Sequence, residues 1–120
     1  MMGVALVLAL SKKRRNLELL ADLLEDVSTE VSVATEVDEF EALLTEHGEI
    51  SMAVIDIDGF TRDIWDRSER LREAGIPVLV LTMSAPSDIR EEAMRHGAQR
   101  ILEKPIEKAT LRATVRTLAN

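Results

Sequence analysis

The segment Met52-Ala-Val-Ile55 is a short run of apolar residues, and the aspartate Asp56 follows it directly. A short, continuously apolar run is typical of a strand that is buried on both faces of a sheet. Comparable runs lie at Val4–Leu10 and Ile76–Leu81. Each run ends in polar residues, so the sequence predicts buried strands with polar side chains at their carboxyl ends.

Two weaker segments, Val31–Val33 and Arg100–Leu102, predict two further strands. Apolar residues recur at helical spacing between the strands, which predicts five helices. Asp38 and Glu41 have the spacing of a capping box at the start of the second helix. The predicted helices run from Asn16 to near Val27-Ser28, from Asp38 to Gly48, from Thr61 or Asp63 to Gly75, from Ser84–Ser87 to Gly97, and from Lys108 to Leu118.

Strands and helices therefore alternate along the whole chain. A strand–helix–strand connection at every step is typical of a parallel sheet with helices on both faces. The sequence predicts an α/β fold with a doubly wound sheet of five parallel strands. With 120 residues, 46% of them hydrophobic, we expect residues 1–120 to form one domain. That domain can also be part of a longer protein.

Composition disfavours several classes of function. A formal net charge of −7 opposes binding to phosphate backbones and anionic lipid, and 2% aromatic residues cannot build a base-stacking platform. The apolar run Val4–Leu10 is too short to span a bilayer, and the basic cluster Lys12–Arg15 follows it, unlike a signal peptide. The absence of cysteine fits a reducing compartment. We expect a cytoplasmic protein that binds neither nucleic acid nor membrane.

Polar side chains follow three of the predicted strands. The carboxyl ends of parallel strands share one edge of a sheet, so the carboxylate of Asp56, the hydroxyl of Thr82 and the ammonium of Lys104 should meet there. A carboxylate can attack phosphorus, a hydroxyl can donate to a phosphoryl oxygen, and a lysine can neutralise the developing charge. The edge is therefore predicted to handle oxyanions.

The order and spacing of these residues resemble the receiver domains of bacterial response regulators. Val54-Ile55-Asp56 resembles the phosphoacceptor strand end of that family, and Val78-Leu-Val-Leu-Thr82 resembles its hydroxyl-bearing fourth strand. Ile101-Leu-Glu-Lys104-Pro105 resembles its lysine–proline signature, which is the most specific of the three motifs. The resemblance covers the whole chain.

This resemblance implies a flavodoxin-like fold with strand order 2-1-3-4-5 and a role in two-component, phosphorelay signal transduction. Asp56 would accept a phosphoryl group from a histidine kinase, and Thr82 and Lys104 would contact that group. The family usually has a cis bond before the proline of its signature, which would be Pro105 here.

The metal site departs from the family. Two adjacent acidic residues hold magnesium after the first strand of a receiver, whereas this sequence has Ser11 and Lys12. Because Mg²⁺ prefers oxygen ligands, we expect its binding to be weak or absent. Asp58 could supply a substitute carboxylate, but Lys12 is more favoured as a cation that replaces the metal and pairs with Asp56. We therefore expect an atypical receiver.

Two non-enzymatic functions remain open at this point. One is a receiver that is switched by phosphorylation of Asp56, and the other is a pseudo-receiver that docks a partner without phosphorylation. Both act through protein–protein contacts with a histidine kinase or another signalling protein. The family resemblance also allows a homodimer through the fourth and fifth helices.

A less favoured alternative is a small phosphatase. Ile55–Phe60 resembles the first motif of haloacid-dehalogenase-type phosphatases, in which Asp56 would be the nucleophile and Asp58 the general acid/base. That family carries the motif on its first strand and ends with an acidic metal pair. Here the motif lies on the third predicted strand, and no such pair follows Lys104.

The two histidines, His47 and His96, each precede a glycine at a predicted helix end. An imidazolium there can interact with the negative end of the helix dipole. We expect neither histidine to bind a metal or to take part in catalysis.

Overall fold

The structure is a computed structural model, and it describes residues 4–25, 28–47, 49–61 and 63–119. Strands and helices alternate throughout the described part of the chain, as the sequence predicts. The elements are β1 (Val4–Leu10), α1 (Arg14–Leu23), β2 (Ser28–Ala34), α2 (Val37–Glu46), β3 (Met52–Asp56), α3 (Ile64–Glu73), β4 (Val78–Thr82), α4 (Ser87–Arg95), β5 (Ala98–Glu103) and α5 (Lys108–Ala119).

All five strands pair in parallel in one sheet, in the order β2-β1-β3-β4-β5. The α/β fold class and the flavodoxin-like strand order are confirmed. Every residue of β3 and β4 is buried, which explains their continuous apolar runs, since helices cover both faces of the sheet. The edge strand β5 is mostly exposed or half-buried, so its sequence signal was shorter than the strand itself.

Two hydrophobic layers hold the helices against the sheet. In β1, Val7 and Ala9 belong to the layer under α1 and α5, whereas Leu8 and Leu10 belong to the layer under α2, α3 and α4. The alternation follows from the two-residue period of a strand. Because both faces are covered in this way, the carboxyl edge of the sheet is left as the place where polar side chains can gather.

The first helix is shorter than predicted. It runs from Arg14 to Leu23 instead of from Asn16 to near Val27-Ser28. Ser28 begins β2 and is paired with Val4 of β1. Sheet pairing therefore outweighs the helical spacing of the apolar residues at this point. Residues 26, 27 and 48, which include the predicted ends of the first two helices, lie outside the described residues.

The predicted capping box of the second helix is wrong. The helix begins at Val37, one residue before Asp38, and the structure gives it no side-chain cap at the N-cap position. The carboxylate that reaches back is that of Glu39, whose Oε1 accepts the backbone N–H of Thr35 at 2.9 Å. Glu41 instead pairs with two arginines of α3. The capping interaction is displaced because the helix starts earlier than the pattern suggests.

The glycine that follows α4 has a conformation and a position that other residues cannot adopt without strain. Gly97 has φ +103°, and a Cβ built on it would lie 2.9 Å from the Cβ of Arg72 and 3.2 Å from the backbone oxygen of Ser68. Both atoms belong to α3. Gly97 therefore ends α4 as predicted and also lets this turn approach α3 closely.

Candidate functional site

Residues from three strand ends meet at the carboxyl edge of the sheet. Asp56 ends β3, Thr82 ends β4, and Lys104 follows β5, where its backbone N–H donates to the backbone oxygen of Thr82 at 2.8 Å. The Lys104 Nζ lies 2.8 Å from Oδ2 of Asp56 and 2.9 Å from Oδ2 of Asp58. The peptide bond between Lys104 and Pro105 is cis. The structure thus places the predicted carboxylate, hydroxyl and ammonium in one cluster.

The Asp56 carboxylate is buried and surrounded by donors. Its side chain is 6% exposed. Besides the ammonium of Lys104, Oδ2 accepts the hydroxyl of Ser11 at 3.0 Å and the side-chain amide of Asn16 at 3.2 Å. Oδ1 accepts the backbone N–H of Asp58 at 3.2 Å. Charge and hydrogen bonds together offset the cost of burying this carboxylate.

The sequence reasoning missed Asn16. It lies in the first turn of α1, which begins just after the carboxyl end of β1, so its side chain can reach the Asp56 carboxylate across the edge. The position alone could have suggested this, because a helix that begins just after β1 starts beside the carboxyl ends of the strands. The residue type gives no further indication, because a single asparagine in a helix is not typical of any particular site.

The Asp58 carboxylate takes a different set of partners. Its Oδ1 accepts the hydroxyl of Thr82 at 2.9 Å, and its Oδ2 accepts the backbone N–H of Met83 at 2.9 Å together with the ammonium of Lys104. Thr82 therefore contacts Asp58, and Lys104 bridges Asp58 to Asp56. No pattern in the sequence indicates that the Asp58 side chain turns toward β4.

The network sets the charge of its members. Burial by itself would raise the pKa of Asp58, but hydrogen bonds from Lys104 and Thr82, the charge of Lys104 and the Met83 N–H outweigh it and hold that pKa below its ordinary value. Burial by itself would lower the pKa of Lys104, but hydrogen bonds to Asp56 and Asp58 and their charges raise it above its ordinary value. Asp58 and Lys104 are both ionised at neutral pH.

The expected pairing of Lys12 with Asp56 does not occur among the residues that the structure describes. The Lys12 ammonium lies 4.9 Å from the centroid of the Phe60 ring, a cation–π contact. The Lys12 stem packs against Gly59, which has φ +88°. This packing holds the Lys12 side chain along the loop after β3. The cation that pairs with Asp56 is Lys104.

A family model described as response regulator receiver domain matches residues 7–116. The chain belongs to this family. No curated protein matches the sequence. Receiver domains are in general signalling modules that interact with kinases and other signalling proteins.

Solved structures of receivers have the same fold. A response regulator receiver domain protein from Clostridium thermocellum has a TM-score of 0.83 at 24% identity, and the match covers 98% of this chain and 95% of that one. A chemotaxis protein from Vibrio cholerae has a TM-score of 0.84 at 22% identity, with coverage of 97% and 99%. A response regulator from Thermotoga maritima has a TM-score of 0.86 at 20% identity, with coverage of 97% and 98%. At these identities the similarity shows the shared fold.

The donor set of this receiver does not fit the magnesium ion that its family implies. Mg²⁺ needs oxygen ligands at short distance in near-octahedral geometry. The Asp56 Oδ2 already accepts three donors, and the Asp58 carboxylate is turned toward Thr82 and Lys104. Ser11 offers a hydroxyl, which donates to Asp56. Within the described ranges, no group of three acidic or histidine side chains could hold a metal ion.

The family assignment and the partners of Asp58 both disfavour the phosphatase interpretation. A general acid/base needs a proton that it can give and take near the operating pH. The partners of Asp58 lower its pKa and keep it ionised.

No helix in the described residues is long and apolar enough to cross a membrane.

The two histidines lie at helix ends, as predicted, but one of them has partners that the sequence analysis did not assign. His96 is the C-cap residue of α4, and its ring nitrogens lie 2.7 Å from a Glu69 carboxylate oxygen and 3.0 Å from one of Glu92. His47 is the C-cap residue of α2, with Nε2 3.3 Å from the hydroxyl of Ser32. The His96 cluster lies at the junction of α3 and α4, away from the strand ends.

Proposed function

We propose that this receiver domain is a docking module in a two-component signalling pathway and works without phosphorylation of Asp56. The observation that carries the proposal is the Ser11 hydroxyl, which donates to Oδ2 of Asp56 from a position where receivers carry a metal-binding carboxylate. The neighbouring Lys12, at the second of these positions, lies over the Phe60 ring and supplies no carboxylate either. The protein acts through contact with a signalling partner, such as a histidine kinase, and not as an enzyme.

The hydrogen bonds of Asp56 support this proposal. A carboxylate that attacks phosphorus must present an oxygen lone pair, and receivers use a metal ion to hold the incoming phosphoryl group and balance its charge. The Asp56 Oδ2 accepts donors from Ser11, Asn16 and Lys104, and Oδ1 accepts the N–H of Asp58. An attack would break part of this network with no carboxylate pair to bring in magnesium.

Two exposed methionines support a role in protein–protein contact. Met83 directly follows β4 and is 70% exposed, and Met94 on α4 is 51% exposed. They are two of the three exposed large hydrophobic side chains in the part of the chain that the structure describes. Methionine is common on surfaces that bind protein partners, because its side chain adapts its shape. The segment from β4 through α4 is therefore the proposed contact region, for a partner or for a second copy of the chain.

The test is a phosphorylation assay. The protein is incubated with magnesium and a small-molecule phosphodonor, and intact mass and Trp65 fluorescence are followed. The expected result is no phosphoryl adduct and no magnesium-dependent change in fluorescence. A phosphoryl adduct in the wild-type protein that disappears in Asp56→Asn would overturn the proposal and restore the switched receiver.

A double variant serves as the positive control. Ser11→Asp with Lys12→Asp supplies the pair of carboxylates that receivers carry after the first strand. If the metal site is what this chain lacks, the double variant should bind magnesium and gain an Asp56-dependent adduct under the same conditions. Such a gain would also show that the absence of an adduct in the wild type is not a failure of the assay.

A further inference from the structure

Three donors converge on the Asp58 carboxylate at the end of β4. They are the hydroxyl of Thr82, the backbone N–H of Met83 and the ammonium of Lys104, each at 2.9 Å. A hydroxyl, a backbone amide and a cation that point at one place form a typical binding site for an oxyanion. Thr82 and Lys104 are also the residues that the family resemblance assigns to the phosphoryl group.

The backbone of the loop after β3 brings Asp58 into this position. Asp58 is two residues from Asp56, and its N–H donates to the Asp56 Oδ1 at 3.2 Å, which fixes the start of the loop. Gly59, with φ +88°, then turns the chain so that the Lys12 stem can pack against it. The Asp58 side chain is 31% exposed, so one face of the site remains open to solvent.

We propose that the Asp58 carboxylate is a built-in ligand of an oxyanion site formed by Thr82, Met83 and Lys104. It holds the beginning of the segment between β4 and α4 in one arrangement without a phosphoryl group. This inference rests on the proposed function, because it names what sets the state of the site when Asp56 is not phosphorylated. Without the Asp58 side chain, this site would bind a small oxyanion. In the wild-type protein the Asp58 carboxylate takes the place of that ligand.

The hydrogen bonds continue from Asp58 into the contact region. The Thr82 hydroxyl donates to Asp58 and accepts the backbone N–H of Ser84 at 3.3 Å. Met83, the most exposed large hydrophobic side chain in the described part of the chain, is held at its backbone by the same carboxylate. Loss of Asp58 should therefore change the backbone at residues 82–84 and the presentation of the Met83 side chain.

The experiment removes the carboxylate and returns it in solution. In ¹⁵N-labelled Asp58→Ala, the amide resonances of Met83 and Ser84 should shift, and hydrogen exchange at Met83 should become about tenfold faster, the effect of losing one hydrogen bond. Acetate is the probe, because it supplies the missing carboxylate. It should move both resonances back toward their wild-type positions in the variant and leave the wild type unchanged, with sodium chloride at equal ionic strength as the salt control.

Asp63→Ala is the matched control, since Asp63 belongs to the same loop and its side chain makes no capping hydrogen bond to α3. It should leave Met83 unchanged and respond to acetate no more than the wild type. If Asp58→Ala does not fold, Asp58→Asn is measured instead, and a shifted Met83 resonance is again expected. An unchanged Met83 resonance in either Asp58 variant, or an Asp58→Ala protein that acetate does not affect, would overturn the inference.

This experiment contains no phosphodonor, so its result is separate from the proposed function. A phosphoryl adduct on wild-type Asp56 would overturn the proposed function, but it would not change what the acetate experiment shows about Asp58. If no adduct forms and the Met83 resonance does not change in the Asp58 variants, only the inference about the Asp58 carboxylate is overturned.

Discussion

The molecule contains two clusters in which one basic side chain lies between two carboxylates. Lys104 forms the first at the carboxyl edge of the sheet, and His96 forms the second where the turn after α4 meets α3. The distances from the basic nitrogens to the carboxylate oxygens are nearly the same, 2.8 and 2.9 Å in the first cluster and 2.7 and 3.0 Å in the second. The carboxylates are Asp56 and Asp58 in the first cluster and Glu69 and Glu92 in the second.

The clusters differ in burial. The Asp56 side chain is 6% exposed, whereas Glu69 and Glu92 are 37% and 32% exposed. Removing one partner of a buried ion pair leaves an uncompensated charge, which costs far more than the loss of a solvent-screened pair. Similar geometry therefore goes with unequal energy: the fold depends on the Lys104 ammonium at the strand edge, whereas it gains only modestly from the His96 ring at the helix junction.

The largest effect is expected from Lys104→Met, which keeps most of the apolar stem and removes the charge. The Asp56 carboxylate would then remain buried without a cation, held by the neutral donors of Ser11 and Asn16. We expect the free energy of unfolding to fall by about 3 kcal/mol, at the low end of the range for a broken buried pair because those donors remain. Urea denaturation followed by Trp65 fluorescence measures it.

The control for this change is Lys108→Met, the same substitution at an exposed lysine at the start of α5. It should change the free energy of unfolding by no more than about 0.5 kcal/mol. Equal effects of the two substitutions would show that the bridge between the aspartates does not stabilise the fold.

A smaller effect is expected from His96→Gln. The two ring nitrogens of His96 lie within hydrogen-bond distance of two carboxylates, and the ring also stacks on Trp65 with centroids 6.1 Å apart and planes 15° apart. Glutamine keeps a polar head but loses the ring and its stacking. Because Glu69 and Glu92 are well hydrated, we expect a loss of about 1 kcal/mol. The same denaturation measurement at neutral pH checks it.

The second histidine provides a matched comparison. His47→Gln removes a ring that contacts the hydroxyl of Ser32, and among the residues that the structure describes no ion pair joins this ring to a carboxylate. Its effect should be about half that of His96→Gln or less. A loss for His96→Gln as large as that for Lys104→Met would mean that exposure does not separate the two clusters.

The sequence indicated the first cluster more fully than the second. Asp56, Thr82 and Lys104 each follow an apolar strand, and parallel pairing brings such positions to one edge, so their meeting could be predicted. The orientation of Asp58 could not, because it depends on the turn at Gly59 and on a backbone N–H of another strand. The predicted partner of Lys12 is wrong for the same reason, because loop packing places the Lys12 ammonium over the Phe60 ring.

Of the two carboxylate contacts of His96, sequence spacing predicts one and does not predict the other. Glu92 precedes His96 by four residues on one helix face, which is a contact that sequence alone can suggest. Glu69 lies on another helix and reaches His96 only because Gly97 allows the turn to approach α3. The order and type of the helices and strands could be predicted from the sequence. The predicted boundaries are wrong where pairing with the sheet extends an edge strand such as β2.

The smallest effect is expected from Asp58, the more exposed carboxylate of the first cluster. It concerns the free energy of unfolding at acidic pH. In the folded protein the pKa of Asp58 lies below its ordinary value of 3.8. Its contribution is therefore complete above pH 3.8 and is lost as the pH falls through the lower pKa of the folded state. The difference in unfolding free energy between wild type and Asp58→Asn should stay below about 1 kcal/mol, since solvent screens this side chain.

That difference should be constant from neutral pH down to about pH 5 and should shrink below pH 3.8, as measured by urea denaturation across the range. Asp63→Asn, the same substitution elsewhere in this loop, is measured as the control for the change of residue type. At the alkaline end the sign reverses for Lys104: its raised pKa keeps the bridge complete below pH 10.5 and weakens it only at higher pH. A difference that grows on acidification would require the pKa of Asp58 to be raised by folding, which would mean that burial outweighs the ammonium and hydroxyl that face it.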